Sequence, residues 1–544
     1  MIGFFDMDNV LNPIYSKKHD GHIQYGTAGF RTKADRLEHV LYRMGLLAVL
    51  RSKVKNAAIG LMITASHNQE PDNGVKLIDP AGEMLEASWE KIATNLANVE
   101  DTNLVSTLRN IIKEQDINMS INATVITGRD TRQSSPTLLS AAMAGIKALN
   151  GTVKDFGIVT TPQLHYLVFC TNTDGSYGEA TLQGYYSKLS EAFKGIRRNQ
   201  TNNGRYISEL SFDAANGIGG VAIKEFQQYL GDSITIHVYN DGNGELNHMC
   251  GADYVKVQQA PPNHFPVKPN TRCVSVDGDA DRVVYFYSDE SNKFHLMDGD
   301  RIATLVAGYF KELLEESGLT FQLGLVQTAY ANGGSTNYIS NMLKVPVACV
   351  PTGIKHLHAE AVKFDIGVYF EANGHGTVIV KDAVFQAIQK SATNPELPAD
   401  KQMAASKLAN IINVVNQTVG DALSDMLLVE TILHARGWDI VDWEKSYDDF
   451  PNKLLKVQVK DRNVITTTDA ERKCVTPVGL QEGIDNLVTQ YNKGRSFVRP
   501  SGTEDVVRIY AECENRGDLN KLANDVALLV YKLAGGVGPE PSLS

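Results

Sequence analysis

The chain has 544 residues, too many for one hydrophobic core, so about three or four domains are expected. Apolar residues make up 43% and charged residues 21%, and the formal net charge of -11 lacks the basic field that nucleic acid or an anionic membrane would need. Any anionic substrate must therefore be held by local cations.

The opening stretch MIGFFDMDNVLNPIYSKK carries aspartates where a secretory leader needs a basic end and an apolar run. No uncharged apolar stretch is long enough to span a bilayer, so a cytoplasmic location is expected, with no membrane or nucleic-acid partner. Leu37, Val40, Leu41, Met44 and Leu47 then follow helical spacing. A β-rich run at 123–127 precedes a helix opened by Ser135-Pro136 and closed by Asn150-Gly151. Near 185 the pattern gives way to YYSKLSEAF. Further strands are expected at 233–239 and 272–276, and MDGD near 298 introduces a new helix through Ile302, Leu305, Val306, Tyr309, Phe310 and Leu313. Strands at 345–350 and 365–370 follow, and SATNPELPADKQ at 391–402 reads as a surface excursion. After WEKSYDDFPNK, near 450, two strands (LLKVQV and VVRIYAEC) and two helices suit a small α+β domain. Strands alternating with helices before that point imply α/β domains. The expected division is 1–185, 186–298, 299–450 and 451–544. The six cysteines are sparse, contain no Cys-x-x-Cys pair, and read as free thiols in a reducing compartment.

Four loops carry chemistry. Thr64-Ala65-Ser66-His67-Asn68, with Asp72-Asn73-Gly74-Val75-Lys76 beyond it, follows the apolar LMI. On spacing alone the favoured reading is that Ser66 or Asn68 caps a turn, since Ser, His and Asn are common loop residues, and no Gly-x-Ser-x-Gly elbow is present. Asp277-Gly278-Asp279-Ala280-Asp281-Arg282 alternates three carboxylates that can converge on one hard cation, which suits magnesium. A calcium EF-hand is excluded, because Arg282 and Ser288 stand where it needs glycine and an acid. Glu371-Ala372-Asn373-Gly374-His375-Gly376-Thr377 offers a carboxylate and an amide to sugar hydroxyls, or is a plain polar turn. Thr352-Gly353-Ile354-Lys355-His356 also follows a strand. Arg499-Pro500-Ser501-Gly502-Thr503-Glu504-Asp505, with Arg508, combines guanidiniums, hydroxyls and a turn into a phosphate cradle. One loop from each expected domain makes a kit for phosphoryl transfer on a sugar.

TASHN, DGDADR, EANGHG and RPSGTED occur in the order that marks the α-D-phosphohexomutase superfamily, and the chain resembles that family over essentially its whole length. YGTAGFR, TASHNQEPDNGVKLIDPAGEML and FVRPSGTEDVVRIYAE are most similar to its eukaryotic branch acting on N-acetylglucosamine phosphates. Gln69 departs from the proline usual after the asparagine, which alters loop stiffness rather than chemistry. The resemblance implies four domains around a central cleft, three α/β with mixed sheets and a last α+β domain. It implies a phosphoserine at Ser66 and one magnesium ion held by Asp277, Asp279, Asp281 and the Ser66 phosphate. Arg31, Lys76 and His375 match residues that move protons or stabilise charge, and Lys76 and His375 are the candidate bases. Glu371 and Asn373 match the sugar-binding loop, and Arg499, Ser501, Gly502, Thr503 and Arg508 match the phosphate clamp. The implied reaction interconverts the 6- and 1-phosphates of N-acetylglucosamine, with a glucose- or N-acetylglucosamine-1,6-bisphosphate as intermediate or activator, in the supply of UDP-N-acetylglucosamine. A small sugar phosphate is then the partner, with no obligate protein partner. Rival readings are the same chemistry on glucose or mannose phosphate, a phosphatase using Ser66, and a scaffold without activity. The distal clamp opposes the phosphatase, and retention of every loop opposes the scaffold.

Overall fold

The computed structural model describes Met7 and residues 10–26, 28–198, 204–501 and 505–542. Contacts divide the chain into two compact units. The first runs to Asp298 and adds Asn373–Thr377 and Ala409–Ile440; the second holds Gly299–Ala372, Val378–Leu408 and the chain from Val441 onward.

The first unit contains two five-stranded mixed sheets. Strands β1 (Phe30–Lys33), β2 (Ile59–Ile63), β3 (Asp72–Ile78), β4 (Thr124–Arg129) and β5 (Thr152–Ile158) lie in the order β1-β3-β2-β4-β5. β2 is buried at all five positions, as expected of a strand covered on both faces. It pairs parallel with β4 and antiparallel with β3. The helices Glu38–Lys55 and Ser135–Ala148 supply Val40, Leu41, Leu138 and Ile146 to the core of this sheet. Strands β6 (Glu209–Asp213), β7 (Thr235–Tyr239), β8 (Cys273–Val276), β9 (Val283–Ser288) and β10 (Phe294–Met297) form the second sheet, in the order β10-β9-β8-β6-β7. β8 pairs parallel with β6 and antiparallel with β9.

The second unit contains β11 (Leu323–Thr328), β12 (Val347–Val350), β13 (Ile366–Phe370) and, from Val378 on, β14 (Gly376–Val380), ordered β12-β11-β13-β14. Its C-terminal part has β15 (Asn452–Gln458), the ribbon β16 (Thr466–Thr468) and β17 (Lys473–Thr476), then β18 (Arg495–Pro500) and β19 (Val506–Glu512). β15, β19 and β18 form an antiparallel sheet. The helices Leu480–Val488 and Arg516–Leu533 cover one face, where Leu480, Ile484, Leu522 and Val526 meet Val457, Val498, Val507 and Ile509. This is the expected α+β arrangement.

SATNPELPADKQ lies at the surface, as expected, and its polar ends complete the helices Asp382–Ala392 and Ala399–Val414, leaving a short joint between them. The helix Ala422–Arg436, within the expected third region, makes its contacts in the first unit. Its first twelve residues are all buried, and Glu430 accepts from Arg272 Nε and Nη2 at 2.8 Å each and from the Tyr206 hydroxyl at 2.7 Å. A buried ion pair with its extra hydrogen bond fixes that docking, because removing either charge would strand the other. The position 185 lies inside the helix Leu182–Arg197. All six cysteines are unpaired thiols. Among the described residues, no helix is long and apolar enough to cross a membrane.

Candidate active site

Ser66 follows β2 and Asp277 follows β8, each at the carboxyl end of a strand with one parallel and one antiparallel neighbour. Open α/β sheets bind ligands beyond the carboxyl ends of their strands, where the topology switches. Ser66 is 1% exposed and its φ is +51°, in the left-handed region that costs a non-glycine residue about 1–2 kcal/mol. Local bonds hold it there. Its N–H donates to Thr64 Oγ1 at 3.0 Å, and its carbonyl accepts from Arg132 Nη2 at 3.1 Å and Asn247 Nδ2 at 2.8 Å.

Arg132 organises the whole loop. Its Nη1 donates to the carbonyls of Gln69 and Asp72, its Nη2 also to that of Asn68, and Asp130 fixes its Nε at 2.9 Å. Asn247 reaches the Asn68 carbonyl as well, at 2.9 Å. A cavity of about 510 Å³ opens beside this loop, against His67, Asn68, Asn247 and Asp253.

The hydroxyl of Ser66 donates to Asp277 Oδ2 at 2.7 Å, which joins the two loops. Gly278 permits that approach: a Cβ on it would stand 2.6 Å from the Ser66 carbonyl and 2.8 Å from Asn247 Nδ2. Gly278→Ala should therefore displace Ser66 and lower kcat by up to about a hundredfold, as small misplacements do. Steady-state kinetics beside a melting curve within a few degrees of the parent checks this; an unchanged kcat would show that the loops have slack.

Asp277, Asp279 and Asp281 are buried, and each presents a carboxylate oxygen within 4.8 Å of the others. Asp277 Oδ1 accepts from the N–H groups of Asp281 and Arg282. Asp279 Oδ2 accepts from Thr161 Oγ1 at 2.6 Å and Lys76 Nζ at 3.1 Å, and Lys76 also reaches Asp281 Oδ2 at 3.2 Å. Asp279 Oδ1 and Asp281 Oδ1 are buried without a hydrogen bond; His375 Nδ1 stands 3.4 Å from the latter. Buried acceptors without donors are rare and costly. A hard cation bound by oxygens satisfies them, so this donor set fits magnesium.

The electrostatics agree. Burial, then the charges of Asp281 and Asp279, push the Asp277 carboxyl well above the usual carboxylate range. Burial acts the same way on Asp281, but Lys76, His375 and Arg282 more than offset it and hold that carboxyl well below. Burial lowers Lys76, and Asp279 and Asp281 more than restore it, so its ammonium stays charged. Burial, with Arg282 beside it, holds Arg31 below the usual guanidinium range against the pull of Asp279. Burial and the charges of Arg282 and Arg31 keep His67 neutral, at about 2. Its Nδ1 is 3.5 Å from Ser66 Oγ.

Ser66, Arg31, Lys76, His375 and the three aspartates thus gather in the first unit. Asn373 joins them through the turn it makes for His375, accepting that residue's N–H at 3.0 Å. Gly374 has φ +88° and lies against β9, where a Cβ would meet the Val283 carbonyl. Glu371 follows β13 in the second unit.

Of the residues expected to form the phosphate clamp, Arg499, Ser501 and Arg508 lie in the second unit; Gly502 and Thr503 are outside the described residues. Arg499 and Arg508 are direct cross-strand partners on β18 and β19, and Arg508 faces Lys456 on β15. Like charges directly opposite destabilise a sheet unless an anion lies between them. The Nε of Arg508 is buried without a hydrogen-bond partner. Arg499 Nε donates to the Tyr330 hydroxyl at 3.0 Å.

Sequence reasoning passed over Arg132, Asn247, Thr161 and Arg282. Thr161 sits at the start of the helix Thr161–Asn172, where Thr160 and Gln163 form a capping box that already accounts for TTPQ. Arg282 could have been found: it ends the acidic loop, and its Nε stands 3.8 Å from both Asp277 and Asp281.

Comparison with known proteins adds four family matches. Residues 176–284 and 298–438 match "Phosphoacetylglucosamine mutase AMG1" domains II and III. Residues 42–104 and 101–177 match the phosphoglucomutase/phosphomannomutase α/β/α domain I, and 454–529 its C-terminal domain. The chain is 52% identical over 529 residues to phosphoacetylglucosamine mutase of Homo sapiens, covering 97% of each. A solved N-acetylglucosamine-phosphate mutase in its substrate complex, a member of the α-D-phosphohexomutase superfamily, shares 44% identity and a TM-score of 0.93, covering 97% of this chain and all of that one. The Aspergillus fumigatus N-acetylphosphoglucosamine mutase with GlcNAc-6P and magnesium shares 46% identity and a TM-score of 0.92, covering 97% and 98%. A substituted form of that fungal enzyme was solved with glucose 1,6-bisphosphate.

Proposed function

The chain belongs to the phosphoacetylglucosamine mutase family of the α-D-phosphohexomutase superfamily, and from that premise we propose that it interconverts the 6- and 1-phosphates of N-acetylglucosamine through Ser66. The observation that carries the reading is the Ser66 hydroxyl on Asp277, inside a buried carboxylate triad with Lys76 and His375. A lone serine has no means of activation; this one meets a site built for charge neutralisation.

Asp277, Asp279 and Asp281 would hold magnesium together with an oxygen of the Ser66 phosphate. When bound, that ion neutralises the oxygens of the phosphoryl group in transfer. Ser66 gives its phosphoryl group to the free hydroxyl of the sugar phosphate, and the bisphosphate returns its other phosphoryl group to Ser66. The net change moves the phosphate, and the phosphoenzyme is regenerated. Lys76, a cation between Asp279 and Asp281, suits the stabilisation of phosphoryl charge. His375 is then the better placed to accept the hydroxyl proton, with Arg31 a further cation at the reacting end. Arg499, Ser501, Gly502, Thr503 and Arg508 hold the phosphate that is not in transfer, while Glu371 and Asn373 read sugar hydroxyls. The stretches 1–185, 186–298, 299–450 and 451–544 each supply one of these loops.

Unpaired cysteines suit a reducing compartment, so the cytoplasm is the proposed location, with sugar phosphates as the partners and no obligate protein partner. A magnesium-dependent mutase assay on N-acetylglucosamine 6-phosphate and glucose 6-phosphate tests the substrate reading. The acetylated sugar should have the higher kcat/KM by at least about tenfold. Preference for the plain hexose would overturn the substrate while leaving the chemistry.

A further inference from the structure

The turn joining β16 to β17 places three successive non-glycine residues in the left-handed region: Asp469 at φ +52°, Ala470 at +54° and Glu471 at +66°. Each such residue costs about 1–2 kcal/mol, and strain of this kind gathers at functional sites. Arg472 closes the turn, donating to the Asp469 carbonyl at 3.1 Å and to its carboxylate at 2.6 Å. The turn delivers the carboxylate of Glu471. Its Oε2 accepts from the Thr352 N–H at 3.0 Å and the Thr352 hydroxyl at 2.5 Å, on the loop after β12. Its Oε1 stands 3.6 Å from Arg499 Nη1. Both side chains are largely buried, at 18% and 17% exposure.

This carboxylate sits at the end of a row of like charges. Lys456, Arg508 and Arg499 occupy one register across β15, β19 and β18, so their side chains project from the same face. Such a row calls for an anion. Thr352 takes up one oxygen of Glu471, which keeps the carboxylate from a close bidentate pair with Arg499. The guanidinium is thus neutralised and aimed, yet not saturated.

We propose that Glu471 is the resident counter-ion of the phosphate clamp, held beside Arg499 and displaced from it by the phosphate group of the substrate. It is a positioning residue: it sets how tightly a sugar phosphate is held and how readily it leaves. The proposal rests on the reading of Arg499 and Arg508 as the clamp.

The test uses the full-length magnesium-loaded enzyme, with inorganic phosphate as a competitive inhibitor beside the usual substrate. Glu471→Gln keeps the shape and an acceptor for Thr352 but removes the charge. It should tighten inhibition by phosphate roughly three- to tenfold and lower KM with it, while kcat stays level or falls. Arg499→Ala should weaken phosphate inhibition, and adding Glu471→Gln to that variant should restore none of it. If Glu471→Gln leaves phosphate inhibition unchanged or weaker while Arg499→Ala still loses it, Glu471 is only a loop anchor and the proposal fails. If Arg499→Ala also leaves inhibition unchanged, the clamp itself is misplaced and the proposal falls with it.

Discussion

Ser66→Ala should reduce kcat by at least about a thousandfold while leaving the protein folded. Alanine loses only a hydroxyl, and the left-handed backbone is held by Thr64, Arg132 and Asn247 rather than by that side chain. The bonds lost are the donation to Asp277 and the long 3.5 Å contact with His67 Nδ1, so stability should change by about 1 kcal/mol. Magnesium binding to the unphosphorylated protein should persist, since the three carboxylates are untouched. The decisive measurement is incubation with labelled glucose 1,6-bisphosphate: the parent should take up label at one serine, the variant none. Substantial turnover in the variant would remove Ser66 from the phosphoryl path.

Asp277→Asn should separate stability from activity in opposite directions. Burial, and after it the charges of Asp281 and Asp279, push the Asp277 carboxyl up. An asparagine of the same shape relieves the repulsion. Its oxygen can accept from the N–H groups of Asp281 and Arg282, and its amide can donate to Ser66. The metal-free variant should therefore melt no lower than the metal-free parent. Magnesium affinity should fall by about a hundredfold or more, since outer-shell changes alone cost ten- to a hundredfold. Turnover should fall at least as far, because charge neutralisation at the phosphoryl group is worth several kcal/mol. Calorimetric titration with magnesium, beside melting curves with and without the ion, reads both effects. A variant that loses stability but keeps magnesium affinity would make the cluster structural.

The parts legible in the sequence were those whose composition is improbable without chemistry. Alternating aspartates between two apolar runs leave few structural readings, and the structure places them together in the buried triad. The strands were legible for a simpler reason: SITIHVY, RCVSV and VPVACV are short β-branched runs, and each forms a strand within two residues of its expected ends. Arg132 and Asn247 were not legible, because they act on backbone carbonyls. A side chain that serves a carbonyl needs no matching residue type and leaves no pattern. The docking of Ala422–Arg436 was hidden differently. Its Glu430 pairs with Arg272, 158 positions away, and periodicity within one helix does not report on so distant a partner.

The guanidinium of Arg132 grips the Ser66, Asn68, Gln69 and Asp72 carbonyls, groups that every amino acid possesses. The conformation of the Ser66 loop is thereby uncoupled from the identity of most side chains along it. Gln69 can stand where proline is usual because rigidity is imported from outside the segment. Saturation mutagenesis of positions 68–71 should accordingly find broad tolerance, whereas position 132 should accept almost nothing but arginine. The shape of the loop is thus set by one side chain whose bonds run to backbone carbonyls and to Asp130.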